Sequence, residues 1–491
     1  MSEAGPTGTG TAEDVTRRRH VWAAGPGPDV EYEAVARTLL VRDDDERPLA
    51  SVFAVAYLAT SSAADGDRPL TFCFNGGPGS ASLWLNIGGF GPRRAPTRTP
   101  EATPPAPYRV VDNPHSLLDV TDRVFVDAVG TGYSRAAEGV PPERVWGVDQ
   151  DVDVVARAVQ RYLTLTGSWN RPRFLFGESY GTMRAAALAH RLQNQGLDLN
   201  GVVLLSAFLD AGTARGDQGH VHLLPSYAAT AWYHGLLPER GDLETLLDRA
   251  RTFAAGPYAH ALQLGDRMSA EREERVAAEL HDLTGLDVAL LRRRHLRVGM
   301  EEFRAHLRAA DGLVVGRFDT RFTAPTPYLP GEGAVDPATD DPATAGVTSA
   351  HLSAFRAHLA HDVGHRSDLT YRPLHNTVIE PVWDWRHRAP GTGEAIAPAD
   401  VAPDLAAALR RNPHLQVAVL GGVFDLATPF FGVESDVARL YLGARLRANV
   451  RFHLYESGHM TFVDEAAATA MAADLRAFYR DAAPADPPGT P

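Results

Sequence analysis

Between residues 31 and 208, short apolar runs alternate with longer stretches whose apolar positions recur every third or fourth residue. The short runs predict strands over Ala34–Val41, Val52–Thr60, Leu70–Phe74, Arg123–Asp127, Phe174–Phe176 and Val202–Ser206. The longer stretches predict helices over Val145–Leu165 and Thr182–Gln193. Strands alternating with helices imply an α/β chain with a mostly parallel central sheet and helices on both faces. From Asp210 to about Asp400 the alternation stops. Helical patterns follow one another at Leu243–Ala254, Ser269–Leu283, Val288–Arg294, Glu301–Ala310 and Ser349–Val363, around a Pro/Asp/Ala loop at 324–347. Strand-like runs return at Val417–Leu420 and Val450–Tyr455. The chain therefore divides into a first core part (29–209), a mainly helical cap insertion (210–403) and a second core part (404–481). The Gly/Pro/Thr-rich segment 1–28 is expected to be poorly ordered and the tail 482–491 to fray.

Candidate chemistry sits where these runs end. Gly177-Glu178-Ser179-Tyr180-Gly181 joins a predicted strand to a predicted helix. A serine at such a turn takes up strained backbone angles, needs small neighbours, and is lifted out of the sheet as a nucleophile. Upstream, Asn75-Gly76-Gly77-Pro78-Gly79 follows the Leu70–Phe74 run. Its glycines allow close backbone approach, so the N–H of Gly77 and that of Tyr180 are the expected oxyanion hole. A dinucleotide-binding loop would require Gly-x-Gly-x-x-Gly, which Pro78 and the spacing do not provide. Downstream, Asp425 and His459 each follow a strand-like run. The order Ser179, Asp425, His459 is that of the α/β-hydrolases. Ser179 is then the nucleophile, His459 the base and Asp425 the group that orients it.

The combination of NGGPG at 75–79, Gly91-Pro92, DAVGTGYS at 127–134, GESYG at 177–181, Asp425 and Gly458-His459-Met460 resembles the serine carboxypeptidases. Gly316-Arg-Phe-Asp-Thr-Arg-Phe322 is similar to their bacterial branch. The resemblance implies the α/β-hydrolase fold and cleavage of a peptide with a free C-terminus through an acyl-enzyme. It also implies that Asn75, the Gly76 N–H and Glu178 bind the substrate's terminal carboxylate. The chain departs from the family by carrying Cys73 where many members have Trp, and Gly89 where many have a Glu paired with the Glu before the serine. Arg93 and Arg94, which follow Gly91-Pro92, are candidates to supply the missing carboxylate-binding group. The same scaffold suits an esterase or an acyltransferase. A non-catalytic binding protein is the reading from another class, and the complete triad stands against it.

With 491 residues, 44% of them hydrophobic, the chain has the apolar mass for a large core. A formal net charge of −13 argues against a nucleic-acid partner. No apolar run is long enough to cross a bilayer, and the first residues lack the basic and apolar regions of a secretory signal. With one cysteine, this points to a cytoplasmic protein. The 48 cationic positions are all Arg, a composition expected of a GC-rich bacterial genome. His351, His358, His361 and His365 share helical spacing but lack a matching carboxylate, so solvated side chains are expected there rather than a metal site. No cofactor is called for.

Overall fold

The computed structural model describes residues 13–60, 68–213, 216–326 and 341–483. Ten strands form one sheet: β1 (Val15–Trp22), β2 (Val30–Arg42), β3 (Pro48–Ala59), β4 (Leu70–Phe74), β5 (Asp122–Val126), β6 (Arg135–Ala136), β7 (Arg173–Glu178), β8 (Gly201–Leu205), β9 (Gln416–Gly422) and β10 (Val450–Tyr455). Their order is β1-β2-β3-β5-β4-β7-β8-β9-β10, with β6 on β3. From β5 to β10 every pairing is parallel, while β1, β2 and β3 are antiparallel to their neighbours. All five residues of β4, β5 and β8 are buried, as a parallel sheet covered on both faces requires. One face is covered by α1 (Val148–Thr166), α2 (Tyr180–Asn194) and the helix Ala402–Arg411. The other is covered by the turn Trp84–Phe90 and the helix Glu465–Ala482. This is the α/β-hydrolase fold.

Two expectations fail. Residues 13–28 are not a frayed end: Val15–Trp22 pairs along its whole length with β2. Arg17 and Arg19 bond Glu33 across the strands at 3.2 and 3.3 Å, and Trp22 is buried with its indole donating to the Asn113 carbonyl at 2.9 Å. A charged outer strand protects a sheet edge, and its polarity is what hides it from a hydrophobic reading. The remainder of that segment, residues 1–12, lies outside the described residues, as do 484–491 of the tail and 327–340 of the loop.

The insertion is also not one unit. Helices between Gly216 and Leu307 share a core of their own, with Leu224, Tyr227, Ala250, Leu280 and Phe303 at its centre. The helix Pro342–His358 and the turn Leu359–Val363 instead pack on the sheet, where Phe355, Leu359 and Val363 join Phe53, Val55 and Tyr57. They cover apolar side chains that the antiparallel outer half of the sheet would otherwise leave in water. His351 and His358 lie on this buried face, so they are not solvated. The His358 ring bonds the Tyr57 hydroxyl and Asp362, each at 2.7 Å.

Candidate active site

The elbow forms because three chain segments meet without side chains between them. Ser179 sits at φ 58°, ψ −131° between β7 and α2. Its N–H is tied to the Leu205 carbonyl at 3.0 Å. A Cβ on Gly177 would stand 2.1 Å from the Gly181 carbonyl oxygen, and one on Gly181 would stand 2.6 Å from that of Phe74. Gly76 is equally constrained, since its Cβ would lie 2.6 Å from the Tyr180 nitrogen. The NGGPG loop thus lies directly over the first N–H of α2. The first N–H groups of a helix have no intrahelical partner and carry its positive end. Gly76, Gly77, Ser179 and Tyr180 line one cavity of about 520 Å³.

His459 enters the same cavity from the loop after β10. Its Nδ1 is 2.7 Å from Asp425 Oδ2. Asp425 is fully buried in the turn after β9, where its Oδ1 accepts from the N–H groups of Ala427 (2.7 Å) and Thr428 (3.1 Å). The Thr428 hydroxyl donates to Oδ2 at 2.7 Å. The His459 loop is fixed by its own N–H to the Phe318 carbonyl (2.6 Å) and by the Ser206 hydroxyl to its carbonyl (2.7 Å). Burial disfavours the imidazolium, but Asp425 and Glu178 more than offset this, and the His459 pKa rises above its ordinary value despite the opposing charge of Arg317.

Glu178 is buried beside the nucleophile and lines the cavity. Its Oε2 accepts from the Asn75 amide, and its Oε1 has no hydrogen-bond partner among the described residues. Burial pushes its pKa up to about 7, with His459 and Asn75 pulling the other way. Asn75 stands behind it, held by the Leu85 N–H at 3.0 Å. Gly76 and Glu178 therefore reach the cavity and Asn75 supports the latter.

Arg93 and Arg94 do not reach it. Arg93 pairs with Asp112 and the Val110 carbonyl, and Arg94 with Glu465 at 2.8 Å. Both belong to a short strand pair that follows the Trp84–Phe90 turn. Both have carboxylate partners of their own, and neither lines the cavity. At Gly89, a Cβ would stand 3.2 Å from the Phe462 ring, so an aromatic ring fills the space next to the missing side chain. Cys73 is buried within the sheet, where its thiol is pushed up to about 11 by burial. Ser134 braces its own turn, donating to the Asp127 carbonyl at 2.8 Å.

Other cavity residues escaped the sequence reading. Trp84, Phe208 and Phe318 supply apolar wall, and Arg317 supplies a cation. Thr428 was findable, as an Asp-x-x-Thr turn invites this bonding. Arg317 lay within the Gly316–Phe322 motif but had no partner there to suggest a role. Among the described residues, no group of three or more His, Cys, Asp or Glu is placed to hold a metal, and no helix is long and apolar enough to cross a membrane.

Residues 53–264 match the model of a family described as serine carboxypeptidase. No curated protein matches the chain. Among solved structures, Kex1(delta)p, a prohormone-processing carboxypeptidase from Saccharomyces cerevisiae, is similar over 91% of this chain and 91% of its own, at 14% identity and a TM-score of 0.57. A proline iminopeptidase from Mycobacterium smegmatis is similar over 91% of this chain and 98% of its own, at 17% identity and a TM-score of 0.38. The likeness to Kex1(delta)p is one of fold. The resemblance to serine carboxypeptidases in sequence holds over the matched residues, which contain both glycine motifs and Ser179 but not Asp425 or His459.

Proposed function

We propose that this chain, which carries serine carboxypeptidase sequence over residues 53–264, is a serine-type carboxypeptidase that removes residues from peptides with a free C-terminus. The observation that carries the reading is a protonatable carboxyl, Glu178, buried in one cavity with an elbow serine and an Asp-paired histidine. Because Nδ1 of His459 faces Asp425, Nε2 is left to take the Ser179 proton and pass it to the leaving amine. Ser179 attacks the scissile carbonyl. The N–H groups of Gly77 and Tyr180 receive the charge that develops on its oxygen. Water then releases the acyl group by the same relay. Glu178, when protonated, donates a hydrogen bond to the substrate carboxylate. A buried, unpaired Cys73 supports a reducing, cytoplasmic setting.

The test pairs variants with substrates. Ser179→Ala and His459→Ala should each lower kcat by about 10⁴- to 10⁶-fold, and the double variant should be hardly worse, since groups acting as a unit are not additive. A blocked dipeptide acid should be cleaved in strong preference to its amide. Multiplying losses would remove the triad. Equal turnover of the acid and amide, with a methyl ester faster than both, would convert the reading to an esterase.

A further inference from the structure

The carboxypeptidase reading leaves a charge problem. Besides His459 and the phenol of Tyr180, the ionisable side chains lining the cavity are Glu178, Glu380 and Arg317. Glu178, whenever it is ionised, faces a ligand that brings a carboxylate of its own. The two arginines that follow Gly91-Pro92 are held elsewhere by Asp112 and Glu465. Arg317 is therefore the permanent cation of the wall among the described residues.

Its setting suits an anion receptor. Arg317 lies where the catalytic cavity meets a second one of about 320 Å³, and Phe208, Ala427 and Thr428 line both with it. Its Nε is buried without a hydrogen-bond partner among the described residues, as are those of Arg93 and Arg94, but of the three only Arg317 lines the cavity. The guanidinium rests 5.4 Å from the centroid of the Phe318 ring, which itself packs on His459. The backbone of Arg317 is fixed independently of the side chain. Its N–H is bonded to Asp341, and its carbonyl accepts from Leu426 at 3.0 Å. The fold thus holds the residue in place while leaving a buried donor of its planar fork uncommitted. A buried donor left unused costs free energy unless something binds it.

We propose that Arg317 is the carboxylate receptor of this cleft, binding the anion that the missing partner of Glu178 would otherwise have helped to hold. This rests on the carboxypeptidase reading. The α-carboxylate is the anion that every such substrate brings, and an acidic side chain offers the same chemistry.

The test does not need peptide turnover. Fluorophosphonate labelling of Ser179 is followed while N-acetylphenylalanine, its amide, or N-acetylglutamate α-amide competes for the cleft. Each variant is judged by its own acid-to-amide ratio of protecting concentrations, so a change in labelling rate does not enter. The native chain should be protected by N-acetylphenylalanine at much lower concentration than by its amide. Arg317→Ala should weaken that preference about 10-fold or more, the size of a charge-assisted hydrogen bond, and Arg317→Lys should fall between. Loss confined to the glutamate α-amide would assign the receptor to an acidic side chain instead. An unchanged preference in Arg317→Ala, or none in the native chain, would overturn the proposal. Failure of peptide cleavage with these ratios intact would count against the carboxypeptidase reading alone.

Discussion

His459 and Glu178 titrate in each other's field, and the two charges act in opposite senses on catalysis. In the proposed reaction His459 must be neutral to accept the Ser179 proton. Its pKa is raised above the usual value of about 6.5, so kcat/KM should fall as pH drops through a point above that value. Under the same proposal Glu178 must be protonated to donate to a substrate carboxylate, and it loses that proton as pH rises through about 7. For free-acid peptides the profile should therefore be a narrow bell near neutral pH. Glu178→Gln keeps a donor and removes the charge. It should abolish the alkaline limb, and it should move the acid limb downward because Glu178 helps to hold the His459 pKa up. Profiles of kcat/KM for both proteins check this, and an alkaline limb that survives in Glu178→Gln would assign it to another group.

At the scale of elements, the wall segment carrying Trp385 and Pro398 is pinned by a histidine between two aspartates. His387 Nδ1 meets Asp149 at 2.6 Å in the first turn of α1, and Nε2 meets Asp404 at 2.7 Å in the first turn of the helix Ala402–Arg411. Burial opposes the charged ring, but the two carboxylates raise its pKa to about 9. In the unfolded chain the value returns to about 6.5. The folded pKa being the higher, the stabilisation is complete below that unfolded value and is lost as pH rises through about 9. Its size is on the order of 3 kcal/mol. Thermal melts across the interval from about 6.5, the unfolded value, to just above 9 should show the native Tm falling. His387→Gln should start lower and slope less over the same interval. Parallel slopes would show that the clamp does not titrate. None of this was legible beforehand, since Asp149 lies 238 residues from His387 and no local pattern pairs His387 with Asp404.

At the scale of the molecule, the insertion and the catalytic core are joined through Arg321. It bonds Asp319 at 2.7 Å and reaches the core at Asp464 (2.9 Å) and the Glu456 carbonyl (2.9 Å). All three side chains are largely buried. Gly458 packs so closely beneath that a Cβ there would stand 2.4 Å from that of Asp319. Removing one partner of a buried ion pair strands the other charge at a cost of about 3–5 kcal/mol. Arg321→Ala should lose about that much in urea unfolding. Its kcat should also drop, because the carbonyl of Phe318, the residue before Asp319, accepts the His459 N–H and so sets the position of the base. Unaltered stability would show that the insertion does not depend on this junction.

The sequence by itself determined the parallel half of the sheet, the elbow and the chain order of Ser179, Asp425 and His459. Those rest on local rules: buried strands read as apolar runs, and a strained turn demands glycine. It could not reveal the β1 edge strand, whose charges are paired only across strands. It also could not show that Pro342–His358 belongs to the sheet and not to a cap, because an apolar helix face does not name its partner. That Arg93 and Arg94 are paired with carboxylates while Arg317 lines the cleft was decided by tertiary structure alone. Identical side chains differ only in what folding places beside them, and folding gave two of the three a carboxylate of their own and set the third in the cleft.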